Sequence, residues 1–183
     1  MNTYNIKNFT VQEGQKFIFD TNIWISLMPI FSNFTSNKGS NYSTLLQNIL
    51  DKGCEIGILN IEISEIFNVY IRECGKSYLS HIKKKYSPKN FKKIYRKSKQ
   101  FEKDKNLIIN EIQNIGLAYG VKLNDNFQNC NEKEILDTSL KDFDFNDNFI
   151  CRYCEKYDYI FVTNDRDYKT FKNLNFTVVS ELI

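Results

Sequence analysis

The sequence predicts an α/β protein, a parallel sheet of about four to five strands layered between helices. Three observations predict it. Phe17-Ile18-Phe19 is a short apolar run of β-formers that stops at Asp20-Thr21-Asn22. Tyr159-Ile160-Phe161-Val162 repeats the arrangement and stops at a polar cluster centred on Asp165. Around these runs, stretches with helical apolar spacing alternate with short strand-like ones, the order of a parallel sheet built from crossovers. Unbroken apolar runs of this length mark strands covered on both faces.

Taken in order, residues 1–15 form an extension that reaches the first strand, at about 16–20, through Glu13-Gly14-Gln15. A helix or turn near 22–28 is stopped by Pro29, and Phe31 to Asn41, rich in Ser, Asn and Gly, reads as a loop. Residues 42–52 place Leu45, Leu46, Ile49 and Leu50 on one helical face, with Gly53 as the stop. Cys54 to Leu59 is the second strand. From Ile61 to about Glu73, Ile63, Ile66, Phe67, Tyr70 and Cys74 fall on one stripe. Glu65 lies opposite that stripe and Glu62 about a quarter turn from it. Glu65 therefore belongs either to solvent or to the wall of a cleft.

Residues 76–118 read as basic and helical, broken at Ser87-Pro88 and continued by an amphipathic helix from Gln100 to Ile115. Gly116 to Glu134 is a polar loop. Phe149, Ile150, Tyr153, Cys154 and Tyr157 mark a helix over 149–157, with Asp144 and Asp147 at its entrance, where the dipole favours acids. Asn175 to Val179 is the last strand. No linker or repeat divides the chain, so residues 1–183 are expected to form one domain, with a basic, mostly helical insertion at about 76–141.

The composition is that of a globular protein, 42% hydrophobic and 26% charged over 183 residues. No apolar run reaches the roughly 18–20 residues that cross a bilayer, and the N-terminus lacks a signal-peptide pattern, so a cytoplasmic location is expected. Five scattered cysteines argue against a disulfide framework. Cys151-x-x-Cys154 resembles half of a zinc site or a redox pair, but no second CxxC exists and both cysteines fall inside the helix, so they read as core. His81, the single histidine, excludes most His-dependent chemistry.

The net charge of +3 conceals an asymmetry: Lys76 to Lys105 holds 12 Lys/Arg against two acids, leaving 13 basic and 20 acidic residues elsewhere. Such a segment is either a solvated face or an electrostatic footprint for nucleic acid. Lys83, Lys84, Lys85, Lys92, Lys93, Arg96 and Lys97, interleaved with Tyr78, Tyr86, Phe91, Tyr95 and Phe101, fit phosphate contacts plus base stacking.

Asp20 and Asp165 end strands, Glu65 is presented by a helix and Asp147 opens another. Each has an ordinary role as cap or surface charge. Together, at strand ends and helix starts of a parallel sheet, the four acids are expected to converge on one edge, where burying them uncompensated is prohibitive. A hard divalent cation, Mg²⁺ or Mn²⁺, is the natural compensation for oxygen donors. Such sites transfer phosphoryl groups to water, and no protein nucleophile is needed. Phosphatases with an Asp-x-Asp at the first strand end are disfavoured, because Asn22 stands where the second acid is required.

Phe19-Asp-Thr-Asn-Ile-Trp24, Ile63-Ser-Glu-Ile-Phe67, Asp144-Phe-Asn-Asp-Asn-Phe-Ile150 and Val162-Thr-Asn-Asp-Arg-Asp-Tyr168 resemble, in order, the four acidic motifs of PIN-domain nucleases. The resemblance covers residues 16–73 and 142–180. It implies a three-layer α/β/α fold and Mg²⁺- or Mn²⁺-dependent cleavage of RNA, mostly single-stranded. It implies Asp20, Glu65, Asp147 and Asp165 as the metal-binding acids, with Asp144 and Asp167 accessory. Asp144 rivals Asp147 for its position, and Glu62 rivals Glu65. Asn22 is implied to orient Asp20 or a metal-bound water, and Thr163 to support the Asp165 loop. Members of similar size include VapC-like toxins, commonly homodimers held by a small antitoxin, which are the implied partners beside RNA. The 76–141 insertion is longer than in the compact toxins. Two other readings are a catalytically silent RNA-binding module with the same fold and a structure-specific DNA nuclease.

Overall fold

The computed structural model describes residues 1–32, 34, 40–129, 131, 145–170 and 173–182. Its sheet has six parallel strands: β1 (Asn2–Asn5), β2 (Lys16–Phe19), β3 (Glu55–Ile58), β4 (Val121–Lys122), β5 (Ile160–Val162) and β6 (Thr177–Ser180). Their order is β1-β6-β5-β2-β3-β4. From β2 the chain builds outward through β3 to β4, then returns to β2's other side with β5 and continues to β6. The order reverses between β2 and β5, and a crevice outside the carboxyl ends of an open α/β sheet belongs at such a reversal.

The expected three layers are present. Strand alternation sends Phe17 and Phe19 into one apolar layer and Ile18 into the other. The first layer holds Ile23 and Trp24 of α1 (Thr21–Leu27), Leu45 and Ile49 of α2 (Ser40–Asp51) and Ile66 and Tyr70 of α3 (Asn60–His81). The second holds Phe149, Ile150, Cys151, Tyr153 and Cys154 from the helix at Phe145–Tyr157. All four described cysteines are free thiols, and Cys151 and Cys154 are core, as their helical spacing predicts. None of the described helices is long and apolar enough to cross a membrane.

The two edge strands exceed the expected count for a visible reason. β1 pairs with β6 through residues that are mostly exposed, and both β4 residues are exposed, so neither carries an apolar signature. Residues 35–39 of the Ser/Asn-rich loop and 132–144, including Asp144, lie outside the described residues.

The basic stretch contains α4 (Pro88–Lys93), α5 (Lys99–Glu111) and, after a wide turn at Ile112–Gly116, the short α6 (Leu117–Tyr119). The break at Ser87-Pro88 is real: Ser87 Oγ caps α4 by accepting from the Asn90 N–H at 3.1 Å. Phe145–Tyr157 is therefore α7.

One expectation is corrected here. The aromatics read as a stacking platform mostly pack into the first apolar layer. Tyr95 is fully buried, with Tyr78, Phe91 and Phe101 ring centroids 5.4–5.7 Å away. Gly75 of α3 permits this approach, since a Cβ there would lie 2.6 Å from the Phe91 ring. Of the five, only Tyr86 is exposed. The Tyr95 hydroxyl donates to buried Asp104 at 2.8 Å, and Gln100 donates to the other carboxylate oxygen at 2.8 Å. Tyr95→Ala is therefore expected to cost roughly 3–5 kcal/mol, as a cavity plus a stranded carboxylate. Urea unfolding checks it, and a loss under 1 kcal/mol contradicts this packing.

Candidate active site

Three polar segments meet at the carboxyl edge around the reversal between β2 and β5. β2 ends in Asp20, whose backbone N–H donates to the Val162 carbonyl of β5 at 2.9 Å. Asp20 precedes α1 in the N-cap position, yet its side chain makes no cap hydrogen bond. Instead, Oδ2 accepts from Asn22 Nδ2 at 2.7 Å and from Thr163 Oγ1 at 2.5 Å. Both bonds fall on one oxygen.

Thr163, fully buried at the end of β5, is the joint of the site. Its hydroxyl donates to Asp20 and accepts from the Asp165 N–H at 3.0 Å. Asp165 Oδ1 in turn accepts from the Asp167 N–H at 3.0 Å. Asn22 closes the other side, its Oδ1 accepting from the Asn164 N–H at 3.3 Å. Glu65, half-buried on α3, accepts from Thr21 Oγ1 at 3.0 Å. Glu65 is thus neither in the apolar core nor fully solvated.

The electrostatics record this convergence. Burial pushes the Asp20 carboxyl up to about 6, Thr163 opposes that rise, and the charges of Glu65 and Asp165 add to it. Among the described residues no Lys or Arg pairs with Asp20, Glu65 or Asp165; the described ion pairs, Lys76–Glu73 and Lys105–Glu102, lie on other surfaces. The edge thus concentrates negative charge that the described side chains leave uncompensated.

The remaining candidates are placed less tightly. Asp147 is half-buried in the first turn of α7, one turn before Cys151. Burial raises the Cys151 thiol well above its ordinary range, and the charges of Cys154, Asp147 and Asp20 all add to that. Asp147 and Asp20 therefore act on one buried atom from two elements. Asp167 is exposed beside Asp165. Glu62 is fully buried as the cap of its own helix, Oε2 accepting from the Leu59 N–H at 2.7 Å and Oε1 unpartnered. Burial holds its carboxyl well above the usual range.

The donor set of carboxylate, amide and hydroxyl oxygens suits Mg²⁺ or Mn²⁺, and no described cysteine or histidine joins it. No three described His, Cys, Asp or Glu side chains already close into a metal cage. A cation would have to draw the acids together.

Two supporting residues escaped the sequence reading. Thr21, inside the polar break after β2, tethers Glu65. Tyr42 of α2 is buried, its hydroxyl donating to the Thr163 carbonyl at 3.4 Å and accepting from the Glu181 N–H at 3.2 Å. It pins the end of β5, and nothing in the Ser/Asn-rich sequence around it gave a signal.

No family model matches the chain, and no curated protein matches it significantly in sequence. Among solved structures the chain resembles VapBC2 from Rickettsia felis bound to a DNA fragment from their promoter. The TM-score is 0.51 at 17% identity, over 90% of this chain and 98% of that one. At that identity the likeness is one of fold.

Proposed function

We propose that this chain is a divalent-metal-dependent endoribonuclease of the VapC-like kind, cleaving single-stranded RNA at the Asp20 crevice. One observation carries the reading. The strand reversal gathers Asp20, Glu65 and Asp165 at one edge where no described cation balances them. The fold likeness to VapBC2 supports it.

Asp20, Glu65, Asp147 and Asp165 would hold Mg²⁺ or Mn²⁺, with Asp144 and Asp167 as accessory acids. A bound cation there supplies Lewis acidity toward phosphodiester oxygens and lowers the pKa of water. Asn22 and Thr163 fix the Asp20 carboxylate, and Thr163 also sets the Asp165 loop. The acids repel a bare phosphodiester, so RNA enters only with the cation in place. No cysteine takes part, because burial keeps Cys151 and Cys154 protonated. A small antitoxin, a homodimer and a cytoplasmic setting go with this reading, as does one domain over residues 1–183.

The exposed Lys83, Lys84, Lys85, Lys92, Lys93, Arg96 and Lys97 form the second part of the proposal. At 1.5 Å per residue, the C-terminal end of α3 lies about 24 Å from Glu65, so RNA touching both parts spans several nucleotides. These lysines bind phosphate rather than bases, since the neighbouring rings are occupied with packing. Changing Lys83, Lys84, Lys92 and Lys93 to Glu is expected to weaken RNA binding and lower the slope of log affinity against log salt by about 3. Filter binding at several salt concentrations checks it; an unchanged slope removes the insertion from the substrate path. The reading as a whole is tested by metal-dependent cleavage of single-stranded RNA, which EDTA must abolish.

A further inference from the structure

A cleft of about 440 Å³ opens at the carboxyl edge, lined by Asn60, Leu123, Asn124, Asp125, Asn126 and Gln128. Its volume falls within the roughly 300–1,000 Å³ of small-molecule sites. It sits where the chain leaves β3 and β4, on the same side of the sheet as Asp20. With strands spaced about 4.8 Å apart, the β3/β4 exit is about 7 Å from the end of β2.

The lining has an unusual chemistry for a surface loop. Four of its six residues are amides and one is a carboxylate, with no Lys or Arg among them. Such a set repels phosphate and offers donors and acceptors instead. It is also held in place. Leu123 N–H donates to the Ile58 carbonyl at 3.0 Å, and the Tyr153 hydroxyl of α7 donates to the Asn124 carbonyl at 3.1 Å. The Asn126 N–H donates to Asn124 Oδ1 at 3.0 Å, and Asn126 takes a left-handed φ of 49°. Gly57 of β3 lets the Leu123 side chain lie against the strand, because a Cβ there would fall 2.3 Å from it.

Asp125 is the pivot. Its Oδ1 accepts from the Asn60 N–H at 3.3 Å, the first residue of the helix that carries Glu65. Among the described residues Oδ2 has no hydrogen-bond partner. A fixed acceptor beside amides, over an apolar Leu123 wall, matches the edge of a splayed-out base. Carboxylates accept from exocyclic amines, and single-stranded RNA is read by such contacts on unstacked bases.

We infer that this cleft is a base-specificity subsite, selecting a nucleobase with an exocyclic amine over uracil next to the scissile phosphodiester. The inference rests on the ribonuclease reading above. It adds the determinant of which RNA is cut.

The test compares short oligocytidylate with oligouridylate, whose bases differ chiefly in an amine replacing a carbonyl. Binding is measured to the full native chain in Ca²⁺, which takes the same oxygen donors, by rapid mixing so that the RNA survives. Oligocytidylate is expected to bind about 10-fold tighter. Asp125→Asn should bring the ratio near one, because its amide NH2 donates to the uracil carbonyl where the carboxylate could not, and Gln128→Ala should lower the ratio without altering thermal stability. Equal affinities in the parent, or a ratio that survives Asp125→Asn, overturn the subsite. If the native chain cleaves RNA while showing no such base preference, only the subsite fails. If no RNA is bound or cleaved, the ribonuclease reading fails and the subsite with it.

Discussion

Asp20→Asn is expected to lower the single-turnover rate of RNA cleavage by at least about 10²-fold, the scale for removing one well-placed electrostatic group. The substitution is nearly isosteric. It keeps an oxygen to accept from Thr163 and Asn22, so the joint between β2 and β5 survives. What it removes is the negative charge at the centre of the cluster that a cation would engage. Excess Mn²⁺ should not restore the rate, because the missing element is a ligand rather than affinity alone. A variant that retains a tenth or more of the native rate, with unchanged metal dependence, would mean that the chemistry lies elsewhere.

The second large effect is on stability and has a definite sign. Burial raises the Asp20 carboxyl from an ordinary 3.8 to about 6, with Glu65 and Asp165 adding to the rise. The folded state therefore holds this proton more tightly than the unfolded chain does. In metal-free protein its contribution is complete below about pH 4 and is lost as pH rises through about 6. The shift corresponds to about 3 kcal/mol. Glu62, also raised, acts with the same sign. The difference between native protein and Asp20→Asn isolates Asp20: in EDTA the variant is expected to gain stability relative to native between pH 4 and 7. Adding Mg²⁺ or Mn²⁺ should raise the native melting temperature more at pH 7.5 than at pH 5, since proton and cation compete for one carboxylate. A native stability that climbs with pH across this window in EDTA would contradict the burial of Asp20.

The layers and the central strands were legible because they rest on apolar patterning. Phe17-Ile18-Phe19 and Tyr159 to Val162 are buried on both faces, and residues of that kind write a strand into the sequence. β1 and β4 were not legible, because a mostly exposed edge strand is held by backbone hydrogen bonds, to which the side chains contribute little signal. The geometry of the candidate site was legible in part. Asp20 and Asp165 end apolar runs, and the placement of Glu65 off the apolar stripe foretold an accessible position.

The supporting contacts were not. Thr21 reaching Glu65 and Tyr42 reaching Thr163 join segments 44 and 121 residues apart. Contacts of that range follow from topology rather than local pattern. The aromatic residues of the insertion show the converse error. Interleaving with lysines suggested a stacking platform, but helices this basic must be anchored to the apolar layer beneath them. Tyr78, Phe91, Tyr95 and Phe101 anchor them against Gly75 of α3.

The central claim is that the Asp20 edge uses a divalent cation to cut RNA. Its most direct test is incubation of the native chain with single-stranded RNA and single-stranded DNA, each in Mg²⁺, in Mn²⁺ and in EDTA. The expected result is RNA fragments in the presence of either metal, none in EDTA, and little cleavage of DNA. Cleavage that persists in EDTA, or RNA bound tightly and left intact with both metals, would contradict it.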